Sequence, residues 1–264
     1  MSNIELITQN NLQNHWYFTC DSDIHVGWEN KLDINDKPIM RKFNSVGIIK
    51  KYHDDFHLDF SLCVGDMTHH GSDKKSRDLC DCYTCPSNGN EMSAFLEKYH
   101  HPLENYGIPL KLCIGNHDVN RCWYPDNSML NFIKLKHNST YSWFYPKQSS
   151  CYFFDHKGFR FICLGLYPHN IKWLLSVLPE DVKKPLIFYY HYNTQPHEYM
   201  SNWWSDKEKN NFFDIIKNYN VKLIINGHNH ITKYEKWNDI PNILCGGDPP
   251  LIEVNGENLT IKFI

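Results

Sequence analysis

Residues 221–230 read VKLIINGHNH, a short apolar run followed by a polar turn that carries two histidines, His228 and His230. Apolar runs of roughly four to eight residues that are rich in Ile, Val, Phe or Tyr are typical of buried strands. A histidine just beyond such a strand is well suited to metal binding or proton transfer. The stretch therefore predicts a strand that delivers two such side chains at its carboxyl end.

The same pattern occurs at four other places. The runs are Trp16–Cys20 before Asp23 and His25, Leu58–Val64 before Asp66, Pro109–Ile114 before Asn116, His117 and Asp118, and Pro185–Tyr190 before His191. In open α/β sheets, binding sites form at the carboxyl ends of the strands. Five strand ends that carry Asp, Asn or His therefore predict one shared site.

Helical patterns separate the predicted strands. They cover Ser45–His53, Glu91–Tyr99, Ile171–Leu178 and Asp206–Tyr219, the last with Ser205 as its predicted N-cap. Two hairpins are also predicted, one joining Cys151–Asp155 to Phe159–Gly165 and one within Ile243–Ile264 around Asn255-Gly256. Strands that alternate with helices predict an α/β fold.

Composition favours a globular metalloenzyme. The chain has 264 residues, of which 41% are hydrophobic and 22% charged, and we expect one domain over residues 1–264. These values exclude the disordered, collagen-like and coiled-coil classes. The 16 histidines favour metal chemistry. The net charge of −3 argues against nucleic acid as a partner, because phosphate neutralisation needs a basic surface.

The amino-terminal residues 1–20 contain neither the basic segment nor the apolar core of a signal peptide. No apolar run is long enough to span a membrane. Ten cysteines in such a chain are typical of reduced thiols. We therefore expect a cytoplasmic protein, and the sequence leaves its oligomeric state open.

Together, the five strand-end blocks resemble the calcineurin-like metallophosphoesterases, in the family's order and over roughly residues 16–232. The matching blocks are Asp23-Ile24-His25, Gly65-Asp66, Gly115-Asn116-His117-Asp118, His191 and Gly227-His228-Asn229-His230. The resemblance implies an α/β fold that is a four-layer α/β/β/α sandwich, with two mixed sheets and a dinuclear metal site at the strand ends. It also implies hydrolysis of a phosphoester by a hydroxide that bridges two divalent ions.

The resemblance assigns a role to each residue of these blocks. Asp23, His25 and His230 would bind the first metal, Asn116, His191 and His228 the second, and Asp66 would bridge the two. His117 would be catalytic at the phosphate, and Asp118 would complete the catalytic block by orienting a neighbouring histidine. Mixed nitrogen and oxygen ligands suit Mn, Fe, Zn or Co, and manganese is favoured.

On a regular strand, His228 and His230 are two residues apart and would point to the same side. They can serve two different metals only where the strand has ended in a turn. We expect Gly227 to supply the backbone freedom for this turn.

The block after Asp66 departs from two branches of the family. His69 stands where protein serine/threonine phosphatases carry an Asp and where purple acid phosphatases carry a metal-binding Tyr. The pattern is most similar to the small phosphodiesterase branch. The candidate substrate-binding residues are Asn116, His117, Arg121 and His69. Arg121 either clamps a phosphate oxygen or lies on the surface.

Residues 72–90 form a predicted inserted loop with three cysteines, Cys80, Cys82 and Cys85. These cysteines either hold a structural zinc ion, form a disulfide or remain free thiols in a lid loop. Aromatic clusters occur at Tyr141–Tyr145 and at Tyr199, Trp203 and Trp204. They either stack on a substrate beside the metals or pack at sheet edges and under loops.

We expect the substrate to be a phosphodiester or a small phosphomonoester, with nucleotides among the candidates. Two other functions stay open, a non-catalytic protein-binding scaffold on the same fold and a Mn-dependent nuclease. A scaffold usually loses metal ligands, whereas every ligand position is filled here. A nuclease needs a basic channel, for which the net charge of −3 gives no support.

Overall fold

Two β-sheets with helices on their outer faces make up the structure, which is a computed structural model. It describes residues 15–26, 45–69, 71, 90–119, 128–138, 140–144, 147–195 and 203–263. The strands of these residues are β1 (His15–Asp21), β2 (Phe60–Val64), β3 (Leu110–Cys113), β4 (Thr140–Phe144), β5 (Lys147–His156), β6 (Phe159–Cys163), β7 (Leu186–Tyr190), β8 (Val221–Asn226), β9 (Thr232–Trp237), β10 (Ile240–Cys245), β11 (Leu251–Asn255) and β12 (Asn258–Lys262).

The helices connect these strands. They are α1 (Ser45–Phe56), α2 (Glu91–Phe95), α3 (His101–Asn105), α4 (Ser128–His137), α5 (Ile171–Val177) and α6 (Asp206–Ile216), and a π-helical segment, Leu96–His100, joins α2 to α3. Among the described residues, no helix has both the length and the hydrophobicity needed to cross a bilayer.

Both sheets are mixed. The first has the order β12-β11-β1-β2-β3, and the second has the order β4-β5-β6-β7-β8-β10-β9. β1, β2 and β3 are mutually parallel neighbours, as are β6, β7, β8 and β10. Because parallel strands end at the same edge of a sheet, the loops after β1, β2 and β3 are neighbours, and so are the loops after β7 and β8.

Aromatic side chains fill the space between the sheets. The ring centroids of Phe18 and Phe60 in the first sheet lie 5.5 and 5.2 Å from that of Phe161 in the second. All three side chains are buried. Burial of each contributes roughly 2 kcal/mol to folding, so this contact holds the sheets face to face.

Helices cover the outer faces of the sheets. On the first sheet, Phe56 of α1 packs against Tyr17, with ring centroids 5.2 Å apart. On the second, Phe212 of α6 packs against Phe188 at 5.5 Å. The layers therefore follow the order α/β/β/α, which confirms the predicted fold class.

The predicted N-cap of α6 is confirmed. Ser205 Oγ accepts a hydrogen bond from the Glu208 N–H, and the Ser205 N–H donates to Glu208 Oε2 at 2.7 Å. The helix predicted over Glu91–Tyr99 is too short, since helical structure continues to Asn105. Proline has no N–H for the regular α-helical pattern, and Pro102 lies in the first turn of α3. The π-helical segment Leu96–His100 precedes this turn and lets the helical structure continue past the proline.

The carboxyl-terminal hairpin covers fewer residues than predicted. β11 and β12 form it around Asn255-Gly256, but Ile243 belongs to β10 in the second sheet. Between β10 and β11 lies the segment 246–250, Gly-Gly-Asp-Pro-Pro, where glycine and proline end the strand and let the chain cross to the other sheet. The sequence patterns did not predict α4, β4 or β9.

Several predictions concern residues outside the described ones. They are Arg121, the cysteines Cys80, Cys82 and Cys85, the loop residues 72–89, Tyr145 and Tyr199. The cysteines within the described residues are Cys20, Cys63, Cys113, Cys151, Cys163 and Cys245, and all are buried and outside any disulfide. The reduced state expected from the sequence agrees with this observation.

Candidate metal centre

The loops after β1 and β2 are hydrogen-bonded to each other along their length. The Asp23 N–H donates to the Gly65 carbonyl at 3.0 Å, and the His25 N–H donates to the Asp66 carbonyl at 2.9 Å. The Val26 N–H continues this pattern to the Met67 carbonyl at 3.0 Å. Since the two loops fix each other, the side chains of Asp23, His25 and Asp66 are held in place before any ligand arrives.

Five of the predicted ligands have left-handed backbone conformations. The φ angles are 58° at Asp23, 49° at His25, 52° at Asp66, 74° at His228 and 54° at His230. This conformation costs a residue with a Cβ roughly 1–2 kcal/mol. Strain of this kind persists only where surrounding contacts impose it, and it gathers at functional sites.

The expected role of Gly227 is wrong. His228 and His230 themselves supply the left-handed turns, whereas the φ of Gly227 lies outside the left-handed range. Gly227 is needed for space instead, because a Cβ there would overlap Ser22 Oγ. Ser22 Oγ in turn donates to the Val64 carbonyl at 3.0 Å, so this close approach ties the loop after β8 to the first sheet.

Asp23, His25 and His230 form the first ligand group, with one possible ligand atom each within 4.8 Å of the others. Asp23 Oδ1 lies 3.3 Å from His230 Nε2 and 3.9 Å from His25 Nε2. Asp23 Oδ2 accepts a hydrogen bond from the His228 N–H at 2.8 Å. Among the described residues, Oδ1 is buried without a hydrogen bond of good geometry, so this oxygen is the one available to a cation.

Asp66, His191 and His228 form the second group, and Asn116 lies beside them. His191 Nδ1 lies 2.9 Å from the Val64 carbonyl, which can only accept, so this nitrogen carries the proton. In the neutral ring, Nε2 then presents a lone pair. It lies 3.1 Å from Asp66 Oδ2 and 3.1 Å from Asn116 Oδ1, which are also lone-pair atoms.

Asp66 Oδ2 lies between the two groups. It is 3.1 Å from His191 Nε2 and 3.6 Å from His25 Nε2. The other oxygen, Oδ1, accepts the His117 N–H at 2.7 Å. Asp66 therefore has the position that a bridging carboxylate needs. Because lone pairs from both groups converge here, the residues present fit two cations.

The electrostatics of these side chains show the same demand for positive charge. Burial disfavours the charged form of His191, but the carboxylates of Asp66 and Asp23 outweigh burial and raise its pKa to about 9. Burial likewise disfavours ionised Asp66, but His191 and His117 hold its pKa well below the usual range. Divalent ions supply such charge and displace protons from their ligands.

His117 lies beside the two groups. Its Nδ1 lies 2.8 Å from the His69 carbonyl, which can only accept, so Nδ1 carries a proton. Nε2 is therefore the nitrogen that can exchange a proton with a substrate. His69 itself is only 6% exposed, and its ring Nδ1 lies 3.2 Å from His25 Nδ1.

Asp118 ties the loop after β2 to the loop after β3. Its Oδ1 accepts from the Thr68 N–H and the Thr68 hydroxyl, and its Oδ2 accepts from the Gly115 N–H, each at 2.9 Å. Burial and the nearby charge of Asp66 raise the pKa of Asp118 to about 7. The sequence patterns did not predict that Thr68 would donate to Asp118, although Thr68 lies only two residues after Asp66.

Of the second aromatic cluster, Trp203 packs next to the candidate metal ligands. Its ring centroid lies 5.0 Å from that of His228 and 5.3 Å from that of Tyr192, on which it stacks. Trp204 is buried against Tyr167 and Tyr190. Packing under loops, one of the two interpretations of this cluster, thus describes Trp204, whereas Trp203 also borders the site.

Comparison with known proteins places the chain in a family. The model of the family described as calcineurin-like phosphoesterase matches residues 18–232. No curated protein sequence is significantly similar to this chain.

Solved structures share the fold at low sequence identity. A dimetal phosphatase from zebrafish (Danio rerio) is 11% identical with a TM-score of 0.62, and the match covers 94% of this chain and 95% of that one. GAP50, the anchor in the inner membrane complex of Plasmodium, is 16% identical with a TM-score of 0.55, covering 95% and 84%. A purple acid phosphatase from yellow lupin (Lupinus luteus) is 12% identical with a TM-score of 0.53, covering 94% and 51%.

These structural similarities concern the fold, whereas the family model covers most of the chain. The model spans all five strand-end blocks, and these blocks carry the two ligand groups described above. The chain therefore belongs to the calcineurin-like phosphoesterase family of metal-dependent phosphoester hydrolases.

Proposed function

We propose that the protein hydrolyses a phosphodiester or a small phosphomonoester at a dinuclear metal centre. The observation that carries this proposal is the position of Asp66 Oδ2, which lies 3.1 Å from His191 Nε2 and 3.6 Å from His25 Nε2. This buried carboxylate faces the ligand atoms of both groups. A chain that only used the fold as a scaffold would have no need of such a convergence.

The proposed ligands are Asp23, His25 and His230 for one ion, Asn116, His191 and His228 for the other, and Asp66 for both. When bound, two divalent ions neutralise phosphoryl charge and lower the pKa of water enough for attack at neutral pH. The ligands are compatible with Mn, Fe, Zn or Co, and manganese is the first choice for assays.

His117 is the proposed catalytic acid. Its Nδ1 is held by the His69 carbonyl at 2.8 Å, so the protonated Nε2 is the atom that would donate to the leaving oxygen. The His117 N–H also donates to Asp66 Oδ1 at 2.7 Å, which links the ring to the bridging carboxylate. We assign Asp118 a positioning role, because its carboxylate binds the loops that carry Asp66 and His117.

Asn116 is a proposed phosphate contact as well as a ligand. Its Oδ1 faces His191 Nε2, whereas its Nδ2 is buried without a hydrogen-bond partner among the described residues. A buried amide N–H without a partner costs about 1–3 kcal/mol, and a phosphoryl oxygen would satisfy it. Arg121 remains a proposed second contact.

The test compares hydrolysis of bis(p-nitrophenyl) phosphate and p-nitrophenyl phosphate with and without Mn²⁺. We expect Asp66→Asn to lower kcat/KM by at least about 100-fold, since losing a bridging ligand should exceed the loss seen for outer-shell residues. The matched control is Asp54→Asn, which removes an exposed carboxylate on α1 paired with Lys50. Full activity in purified Asp66→Asn would refute the mechanism.

Measurements on the same purified protein distinguish the proposed hydrolase from a non-catalytic scaffold and from a nuclease. Metal analysis that finds no bound ion, together with no metal-dependent turnover, would favour the scaffold. Cleavage of DNA in the presence of Mn²⁺ would favour the nuclease. Comparison of monoesters, cyclic nucleotides, dinucleotides and phospholipid diesters would then define the substrate.

A further inference from the structure

We propose that His69 is a positioning residue that orients both the metal ligand His25 and the catalytic His117. The ring of His69 would hold His25, and its main-chain carbonyl would hold His117. This role differs from the substrate contact expected for His69 from the sequence. It rests on the proposed metal centre.

The contact with His25 has a defined direction. His25 Nε2 faces the ligand atoms, at 3.1 Å from His230 Nε2 and 3.6 Å from Asp66 Oδ2. A ring that binds a metal through Nε2 keeps its proton on Nδ1. His25 Nδ1 lies 3.2 Å from His69 Nδ1, so His25 donates and His69 accepts. The acceptor fixes both the tautomer and the ring plane of His25.

His69 is itself fixed by its backbone. Its N–H donates to the Val26 carbonyl at 3.0 Å, which extends the pairing of the loops after β1 and β2. Its carbonyl lies 2.8 Å from His117 Nδ1, and its ring stacks on that of His117 with centroids 4.9 Å apart at 21°. One residue thus contacts a metal ligand and the proposed acid through separate atoms.

A neutral imidazole suits this position. Asp23 and Asp66 already place two carboxylates in the site, and a third would disfavour their charged forms by repulsion between like charges. A histidine that accepts through Nδ1 orients His25 without adding negative charge. His69 in place of the Asp that protein serine/threonine phosphatases carry at this position is therefore compatible with an intact metal centre.

Two substitutions separate the hydrogen bond from the packing. His69→Asn keeps an acceptor near the place of Nδ1 but loses the stacking face. His69→Phe keeps the stacking face but loses the acceptor. Matched controls are His101→Asn and His101→Phe, since His101 is exposed on α3. Affinity for Mn²⁺ is measured by calorimetric titration of metal-free protein, and folding is checked by circular dichroism.

We expect His69→Phe to bind one of the two ions about 10- to 100-fold more weakly, and His69→Asn to stay within about threefold of the unsubstituted protein. Wild-type affinity for both ions in His69→Phe would overturn the proposal. Equal losses in both variants would also overturn it, because packing would then explain them. Absence of Mn²⁺ binding in the unsubstituted protein would refute the metal centre itself, which is a separate result.

A measurement on the unsubstituted protein covers the case in which His69→Phe fails to fold. Long-range ¹H–¹⁵N spectra of the Zn²⁺-loaded protein report which nitrogen of each ring carries the proton. We expect protonated Nδ1 on His25 and unprotonated Nδ1 on His69. A proton on His69 Nδ1 would exclude it as the acceptor.

Discussion

Histidine has several roles in this chain, and the atoms around each ring decide which one. His191 donates through Nδ1 to a carbonyl and turns Nε2 toward carboxylate and amide oxygens. His117 donates through Nδ1 to the His69 carbonyl, and proton transfer through Nε2 is its proposed role. His137 accepts the Leu112 N–H through Nε2, away from the ligand groups. The abundance of histidine alone could not distinguish these cases.

His117→Ala tests the proposed acid. We expect kcat to fall by roughly 10²- to 10⁴-fold, the usual range for loss of a proton-transferring side chain. The fall should be smaller for p-nitrophenyl esters than for alkyl esters, because p-nitrophenolate leaves without full protonation. Metal content should stay unchanged, since His117 is not a proposed ligand. Equal losses for both leaving groups would contradict the role as acid.

His137 gives a prediction about pH. Burial, together with the positive charges of Lys111 and Lys136, lowers the pKa of His137 from 6.5 to about 3. Between these values the unfolded chain binds a proton that the folded chain does not, so stability falls as the pH falls. One proton changes the free energy of unfolding by at most about 1.4 kcal/mol per pH unit.

His137→Gln removes this titration and keeps an acceptor for the Leu112 N–H. We expect urea unfolding between pH 6.5 and pH 4 to show a weaker loss of stability in this variant than in the unsubstituted protein. Stability at pH 7 should drop by about 1 kcal/mol, because the stacking of His137 on Tyr152 is lost. His101→Gln, an exposed control, should leave the slope unchanged.

At the scale of elements, the loops after the strands are held by their neighbours rather than by their own conformational preference. Left-handed residues at Asp23 and Asp66 would be unfavourable in isolated loops. Backbone hydrogen bonds between the β1 and β2 loops, and the carboxylate of Asp118 between the β2 and β3 loops, impose them. The strands bring the candidate ligands to one edge of the sheet, and the hydrogen bonds between loops fix the orientation of their side chains.

Gly227→Ala tests the close approach of the loop after β8 to Ser22. The added Cβ would overlap Ser22 Oγ, and we expect a loss of about 1–3 kcal/mol in the free energy of unfolding. Mn²⁺ affinity should fall as well, because His228 and His230 would shift. Adding Ser22→Gly should restore part of both quantities, since the double variant makes room. A double variant no better than the single one would refute this explanation.

At the scale of the whole molecule, the site joins the two sheets. Asp23, His25, Asp66 and Asn116 follow strands of the first sheet, whereas His191, His228 and His230 follow strands of the second. In the interior between the sheets, the aromatic contact of Phe18 and Phe60 with Phe161 holds the two sheets together. Bound metal would add a second connection at the edge where the strands end.

Metal should therefore stabilise the fold and tighten both sheets. For metal-free protein, Mn²⁺ at 100 times its Kd should add about 2.7 kcal/mol per site to the free energy of unfolding, seen as a higher Tm. Hydrogen exchange should slow in the loops after β1 and β2 and also in those after β7 and β8. Asp66→Asn should lose most of this gain. Slower exchange in the loops of one sheet only would contradict a centre shared by both.

Much of this molecule follows from local sequence. The strands before Asp66, Asn116, His191 and His228 are confirmed within one or two residues, because short apolar runs with polar ends have few other solutions. The helix α6 is confirmed with its cap at Ser205. Boundaries that depend on distant contacts were wrong, as at Ile243, which pairs with β9 and β8 rather than with the last strands.

The sequence by itself determined the fold class and the set of candidate ligands. Each strand-end block is a run of consecutive residues, and the order of the blocks can be read along the chain. Only the tertiary structure decided that the candidate ligands come from two sheets and that Gly227 provides space rather than a left-handed turn. It also showed His69 facing His25 and Asp118 binding loops. These features depend on contacts between residues far apart in the chain, and no local pattern encodes such contacts.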